Sequence, residues 1–136
     1  MAEIIQLYAW DAAYNDLRIH PKCEEEIRYI VEKDGRREKF ESDYKIRLDY
    51  LHEHREKAVL HRAWFEKLSN AGSSLYSMHI ATINNMRILY IFTEPYIIFL
   101  CAFSEKSKKK KTDSYAAYIP IALSRIQELE EWINEH

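Results

Sequence analysis

Residues 75–111 constrain the fold of this chain more than any other segment. They contain three runs of β-branched and aromatic residues, separated by turn signals at Asn84-Asn85 and at residues 93–96. Asparagine tolerates positive φ, so Asn84-Asn85 suits a two-residue hairpin loop. Pro95 lacks the N–H that a central ladder requires, which indicates a second turn. The segment therefore predicts an antiparallel meander with strands of about seven or eight residues.

The length of the first loop decides which side chains meet across the hairpin. With a two-residue loop, Ile83 pairs with Met86, and His79 lies opposite Tyr90. Alternate residues of a strand face opposite sides, so a slip of one residue would exchange the two faces.

Length and composition predict a single domain over residues 1–136, since this length is close to the commonest domain size. With 47% hydrophobic residues, the chain has enough apolar material for a core without covalent cross-links. Cys23 and Cys101 lie in apolar patterns far apart in the sequence. We interpret them as buried thiols of a protein in a reducing compartment, although a disulfide is an open alternative.

Neither a targeting signal nor a membrane span is recognised in the sequence. Residues 1–6 lack the basic region and apolar run that begin a signal peptide. Glu94 and Pro95 interrupt the apolar stretch 88–103, which therefore falls short of the ~18 apolar residues of a membrane span. We expect a cytoplasmic protein with no membrane partner.

The N-terminal part of the chain predicts a strand, a turn and a helix. Residues 3–10 are apolar at several positions and indicate a strand, whereas residues 11–20 are typical of a turn. Pro21 suits the first position of a helix, and Gly35 suits its end.

A second helix is predicted between this segment and the meander. Ser42 or Asp43 can cap its start, and its pattern continues to about residue 57. Apolar residues then recur with period four over residues 60–68, which predicts a short third helical turn with Trp64 in the core.

A last helix is predicted after the meander. Residues 112–114 can cap it, and an apolar stripe continues to about residue 134. Pro120 removes one helical hydrogen bond and disfavours helix at the preceding residue, so the helix is expected to be kinked there or to begin there.

Positive charge is concentrated in one short segment. The net charge is −2, which argues against a general nucleic-acid binder. Nevertheless, five lysines fall within residues 106–111, directly after the third strand: Lys106, Lys108, Lys109, Lys110 and Lys111. A focused cluster attracts phosphates where an averaged charge would not. A solvated loop is the alternative interpretation.

Several kinds of chemistry lack their usual motifs. With two glycines, the chain cannot carry a Rossmann or P-loop nucleotide fingerprint. It shows neither a Ser-His-Asp order nor the paired cysteines of a zinc site, and His52, His54 and His61 are unevenly spaced. We expect no cofactor and no metal.

The meander and the segment after it carry a resemblance to a known family. The strand beginning Leu-Tyr-Ser-Met-His-Ile, the run Arg-Ile-Leu-Tyr-Ile-Phe, and the Ile-Ile-Phe-Leu strand ending in Phe and lysines resemble the HigB branch of the RelE/ParE toxins. Residues 112–128 resemble the C-terminal helix of the phage-derived members. The resemblance covers residues 64–128. It implies an α+β fold with a small antiparallel sheet of about four strands, two N-terminal helices on one face and a C-terminal helix.

The resemblance also implies a function. The chain would be the toxin of a type II toxin–antitoxin pair, and its partner would be a helix-turn-helix antitoxin. As a metal-independent endoribonuclease it would cleave mRNA, in the A site of the ribosome. Two alternatives remain open: a ParE-like inhibitor of a protein target such as DNA gyrase, and an inactive phage-derived binding protein of the same fold.

The residues implied in this function lie in the meander and the lysine run. In this family the motif of Arg87 carries a functional arginine, and the lysines contact RNA. His79 stands where many relatives carry arginine, and histidine could act as a general acid or base. The catalytic residues would be Arg87, His79, Lys109, Lys110 and Lys111, and the RNA-binding residues would be Lys106, Lys108, Tyr115 and Tyr118.

Each of these residues also has a purely structural interpretation. Arg87 could be an exposed sheet residue whose stem covers its neighbours. His79 could be a solvated or structural histidine. Tyr115 and Tyr118 could stack on RNA bases or be partly buried tyrosines of the last helix.

Overall fold

A computed structural model of the protein describes residues 3–4, 14–68, 74–105 and 111–135, with side chains for 14–68, 74–105 and 115–131. Within these residues the chain is α+β, as predicted. The strands are β1 (Glu3–Ile4), β2 (Leu17–Ile19), β3 (Phe65–Lys67), β4 (Tyr76–Ile80), β5 (Met86–Thr93) and β6 (Tyr96–Ser104). The helices are α1 (Pro21–Asp34), α2 (Arg37–His54) and α3 (Lys111–Glu135), with a 3₁₀ helix at Arg55–Leu60.

The sheet is mixed, which corrects the predicted antiparallel sheet of about four strands. Its six strands lie in the order β1-β2-β6-β5-β4-β3. The meander β4-β5-β6 is antiparallel as predicted, but β2 pairs with β6 in parallel, with Leu17 beside Ile97. β2 was missed because it has three residues, too few to show alternation within the turn-like residues 11–20. Of the strand predicted over 3–10, Glu3–Ile4 is a strand, and the rest lies outside the described residues.

The β4–β5 connection is longer than predicted, and the register differs. Asn84 and Asn85 do adopt positive φ, at 51° and 50°. However, the turn takes up residues 81–85, and Ile80 rather than Ile83 pairs with Met86. The buried side chain of Ile83 explains the difference, because it belongs to the core rather than to the ladder.

The first helix begins and ends as predicted. Pro21 is its first residue, and the Nδ1 atom of His20 accepts a hydrogen bond from the Lys22 N–H at 3.1 Å. Gly35 ends the helix with φ of 82°, and its N–H donates a hydrogen bond to the Val31 carbonyl. Because glycine has no Cβ, it adopts this left-handed conformation without steric cost.

The second helix begins earlier and ends earlier than predicted. It starts at Arg37 rather than near Ser42 and ends at His54, before the 3₁₀ helix. Phe40 provides the reason for the early start, because its ring is buried and stacks on Tyr44 with centroids 4.8 Å apart.

The third helical turn predicted over residues 60–68 is wrong. Phe65 begins the short strand β3 and pairs with Met78 of β4. The period of four came from three apolar residues, and one short edge strand can show the same spacing by chance. Trp64 is half-buried at the rim of the core rather than within it.

The sheet is covered on both faces. One core lies between the sheet and the two N-terminal helices, where Ile27 of α1 and Leu48 of α2 join Ile88 of β5. A second core lies on the other face, where Ala122 of α3 joins Leu89 of β5. The N-terminal helices thus share one face as predicted, and α3 occupies the opposite face.

The last helix runs without a break through Pro120. It begins nine residues earlier, at Lys111, so Pro120 does not mark its start. Pro120 is exposed, and the helix therefore loses one hydrogen bond on its solvent side.

Cys23 and Cys101 are both buried and free, as predicted. Burial raises the pKa of the Cys101 thiol to about 12, so this group stays protonated and unreactive.

None of the helices in the described part of the chain has the length and apolar character that a membrane span requires.

An ion pair ties both helical layers to the edge of β6. Arg125 of α3 donates to both carboxylate oxygens of Glu26 of α1, at 2.8 and 2.9 Å. Arg125 also donates to the Leu100 carbonyl at 2.7 Å, while Glu26 accepts the Ala102 N–H at 3.1 Å. These bonds satisfy backbone groups of β6 beyond the end of β2.

We expect Arg125→Met to lower the free energy of unfolding by about 3 kcal/mol, because it removes the charged partner of Glu26 and the donor to the Leu100 carbonyl. The control is Arg28→Met, which removes an exposed arginine paired with Glu24 one helical turn away and should cost under ~0.5 kcal/mol. Urea unfolding measures both. Equal losses in the two variants would contradict the role given to Arg125.

Candidate functional site

The β4–β5 register brings the two strongest candidates together. His79 lies directly opposite Arg87, rather than opposite Tyr90 as the two-residue loop predicted. Side chains that are directly opposite on one face of a sheet lie close enough to interact. The two residues that the sequence suggested separately are therefore cross-strand neighbours.

Both residues line one cleft of about 180 Å³. Its wall comes from β3, β4, β5 and the turn before β3, and it includes Arg62, Trp64, Glu66, Ser77, His79 and Arg87. Most of these side chains are charged or polar, so the cleft suits a polar group better than an apolar ligand.

The hydrogen bonds of His79 define which ring nitrogen carries its proton. Asn85 donates from Nδ2 to the Glu105 carbonyl at 3.3 Å, so its Oδ1 atom is left to accept from His79 Nε2. In neutral His79, Nδ1 is then the unprotonated nitrogen. Among the described residues, Nδ1 has no hydrogen-bond partner.

The surroundings of His79 lower its pKa. Burial is the main cause, and the nearby cations Arg87 and Arg47 act in the same direction. The bond to Asn85 and the charge of Glu105 oppose them without reversing the shift. His79 is therefore mainly neutral at pH 7, in the form that can accept a proton.

Arg87 is buried, with 9% of its surface exposed, and it has two carboxylate partners. Its Nε atom donates to Glu105, and its Nη1 atom lies 3.4 Å from Glu66 and 3.0 Å from the Tyr115 hydroxyl. The exposed-sheet interpretation of Arg87 is thereby corrected, because a buried guanidinium requires such partners. Its positive charge is balanced by carboxylates within the protein.

Tyr115 belongs to the same network. Its ring is buried and packs edge-on against Phe103, with centroids 5.9 Å apart. Its hydroxyl contacts Glu66, Arg87 and, at 3.0 Å, Ser77. Burial and the bond to Glu66 raise the pKa of Tyr115, so the hydroxyl stays protonated. In this arrangement Tyr115 orients Arg87, and its ring is not open to a base.

Tyr118 lies at a different cleft from His79 and Arg87. Its ring stacks in parallel on Phe103, with centroids 4.1 Å apart and planes within 1°. It lines a second cleft, of about 370 Å³, together with Glu25 and Glu26 of α1. The structure does not bring Tyr118 to the cleft of His79, and the carboxylates beside it oppose RNA binding.

The lysine run lies mostly outside the described residues. Lys106, Lys108, Lys109 and Lys110 are not described, and Lys111 is the first residue of α3, with its side chain not described. The run nevertheless starts one residue after Glu105, whose carboxylate contacts Arg87. The predicted roles of these lysines stay predictions.

Three residues of the site were missed from the sequence. Asn85 was predicted only as a turn residue, yet its side chain joins His79 to Glu105. Glu66 lies in a segment predicted as helix. Arg47 of α2 donates to the His79 carbonyl at 2.8 Å. The sequence carries no signal for most of these contacts, because the Asn85–Glu105, Glu66–Arg87 and Arg47–His79 pairs lie 20, 21 and 32 residues apart in the chain. 

Trp64 forms a rigid wall of the cleft. The His61 ring stacks on it with centroids 3.9 Å apart and planes 12° apart. The Arg47 guanidinium lies 4.7 Å from the centre of the Trp64 ring. The backbone holds Trp64 in place as well, because the Trp64 carbonyl accepts the His79 N–H at 2.7 Å.

Among the described residues, no cluster of metal-ligating side chains is found.

The lowered pKa of His79 predicts a pH dependence of stability. The unfolded chain binds a proton at His79 near pH 6.5, before the folded protein does. The stability that neutral His79 contributes is thus fully present above about pH 6.5 and is lost as pH falls through its folded pKa. We expect His79→Gln to lose less stability than the wild type on acidification.

Urea unfolding between about pH 7.5 and 5 tests this expectation. His54→Gln, which removes an exposed histidine at the end of α2, is the matched control and should follow the wild type. The assignment of His79 would be refuted by parallel curves for wild type and His79→Gln.

Comparison of the chain with family models, curated proteins and solved structures finds no match.

Proposed function

We propose that this protein is the toxin of a type II toxin–antitoxin pair, of the HigB-like branch of the RelE/ParE superfamily. It would cleave mRNA on the ribosome, in the cytoplasm, without a metal. A helix-turn-helix antitoxin would be its partner. This proposal joins the sequence resemblance to the geometry of the cleft.

One observation carries the proposal: His79 and Arg87 are cross-strand neighbours in one polar cleft. The neutral histidine can accept a proton, and the guanidinium can bind a phosphate. The run of five lysines within residues 106–111 directly follows Glu105 in the sequence.

Cleavage of RNA without a metal needs three kinds of group. The 2′-hydroxyl attacks the adjacent phosphorus, and the bond from phosphorus to the 5′-oxygen breaks. The products are a 2′,3′-cyclic phosphate and a free 5′-hydroxyl. A base removes the proton of the 2′-hydroxyl, an acid protonates the leaving 5′-oxygen, and cations stabilise the extra negative charge of the transition state.

His79 suits the base better than the acid. Its lowered pKa keeps it neutral at pH 7, and neutral histidine accepts a proton rather than donating one. Because Nε2 donates to Asn85, Nδ1 is the atom that would accept this proton. The acid would then come from the lysines 109–111, with Arg87 and the same lysines as stabilising cations.

Expression without a partner should arrest growth and should cleave translated messages. The variant Lys109→Ala, Lys110→Ala, Lys111→Ala should fold but should not be toxic, because a run of consecutive like charges contributes little to stability. Growth and message length on RNA gels are the measurements. Arrest with intact messages and altered DNA supercoiling would favour the gyrase-type alternative, and normal growth at good expression would favour the inactive protein.

The pH profile of cleavage separates the roles of His79 and Arg87. If His79 is the base, the wild-type rate rises with pH through its pKa, below about 6.5, and levels off near neutrality. His79→Arg should remove this rise. Arg87→Lys loses the guanidinium fork but keeps a charge, so the rate should fall by a similar factor at every pH, up to about 10²-fold.

Cleavage by purified protein on ribosomes, from about pH 5.5 to 9, measures both effects. Urea unfolding of each variant shows whether the fold is retained. A near-normal rate with an unchanged profile in His79→Arg would make His79 a positioning residue and transfer the base to the lysine cluster.

A further inference from the structure

We propose that the carboxylate of Glu105 occupies the position on Arg87 that the phosphate of a bound RNA takes, so that RNA binds by displacing Glu105. This inference rests on the proposed function and deepens it, because it names the group that must leave before the reacting phosphate can bind.

Of the two donors on the Nε side of the Arg87 guanidinium, Nε and Nη2, one is hydrogen-bonded within the described residues. Glu105 accepts from Nε through Oε2 alone. Among the described residues, Arg87 Nη2 has no hydrogen-bond partner. A phosphate offers two oxygens in the spacing of the Nε and Nη2 donors, so it can bind both. The exchange of Glu105 for phosphate would therefore add a charge-assisted hydrogen bond.

The other side of the guanidinium is anchored independently of Glu105. Nη1 contacts the Tyr115 hydroxyl at 3.0 Å and Glu66 at 3.4 Å. Tyr115 comes from α3 and Glu66 from β3, and the two side chains also bond each other. Arg87 would thus keep its orientation in the cleft when Glu105 moves away.

Glu105 can leave by rotation of its side chain alone. Asn85 holds its backbone, since the Glu105 N–H donates to the Asn85 carbonyl at 3.0 Å and the Glu105 carbonyl accepts from Asn85 Nδ2 at 3.3 Å. Within the described part of the chain, Arg87 is the only hydrogen-bond partner of the Glu105 carboxylate. The backbone bonds, and with them the Asn85 contact to His79, can therefore persist.

The lysine run explains how RNA would reach this position. It begins at Lys106, one residue after Glu105. A polyanion attracted by these five positive charges would repel the Glu105 carboxylate, which directly precedes them in the sequence. RNA can bind only the fraction of molecules in which Glu105 has left Arg87, and the apparent affinity for RNA is reduced by that fraction. The Glu105–Arg87 ion pair should therefore weaken RNA binding by the protein without its partner.

Removal of the competing carboxylate should therefore strengthen binding. Glu105→Gln should bind RNA roughly tenfold more tightly than the wild type, the factor expected from a charge-assisted hydrogen bond of about 1.5 kcal/mol. Glu105→Asp keeps the charge but shortens the side chain by one methylene, so it should also gain affinity, by a smaller factor. The probe is a fluorescent 2′-O-methyl RNA, which cannot be cleaved because the attacking hydroxyl is blocked.

Glu94→Gln is the matched control. It removes the same charge from a carboxylate that is also paired with an arginine, Arg55, at the opposite end of the β5–β6 hairpin. A gain in Glu105→Gln that exceeds the gain in Glu94→Gln, accompanied by a gain in Glu105→Asp, supports the displacement. A change in net charge alone would raise affinity equally in both glutamine variants and leave Glu105→Asp at the wild-type value.

Cleavage of unmodified RNA on ribosomes separates this inference from the proposed function. Tighter binding by Glu105→Gln with no cleavage by any form, the wild type included, would leave the displacement standing and refute the endoribonuclease. Active wild type with unchanged or weaker binding in both Glu105 variants would refute the displacement alone. Absence of RNA binding by every form would refute both.

Discussion

The position of β6 determines the rest of the structure. This strand pairs with β2 on one edge and with β5 on the other, and seven of its nine residues are buried. A strand with helices on both faces needs apolar side chains on both, which explains its near-continuous hydrophobic sequence. An extra residue, Leu100, breaks the register with β5, and its carbonyl is bonded by Arg125 of α3. The bulge therefore helps to set the place of the last helix.

The burial of Arg87 links stability to function. A guanidinium with so little contact with water is stable in the fold only with hydrogen-bonded partners, here Glu66, Glu105 and Tyr115. These partners also cancel the charge that a phosphate would need. An RNA-directed function at this site therefore requires an exchange of partners, and Glu105 is the one next to the lysine run.

Asn85 shows how turn chemistry can organise a site. Its positive φ ends the β4–β5 turn, a role that asparagine fulfils at low steric cost. Its side-chain amide then bonds both the His79 ring and the Glu105 backbone, and so defines the tautomer of the histidine. Asn85, which suits the turn because of its backbone conformation, thus contacts both His79, the candidate base, and Glu105, the group that competes with phosphate for Arg87.

The sequence by itself determined the features that depend on local physics. The meander followed from β-branched runs and turn residues, helix α1 followed from Pro21 and Gly35, and the buried thiols followed from their apolar surroundings. Only the tertiary structure decided the parallel pairing of β2, the register of His79 against Arg87, and the carboxylates around Arg87. The physical reason is that these features join distant segments, and their energies depend on burial and packing that no local pattern records.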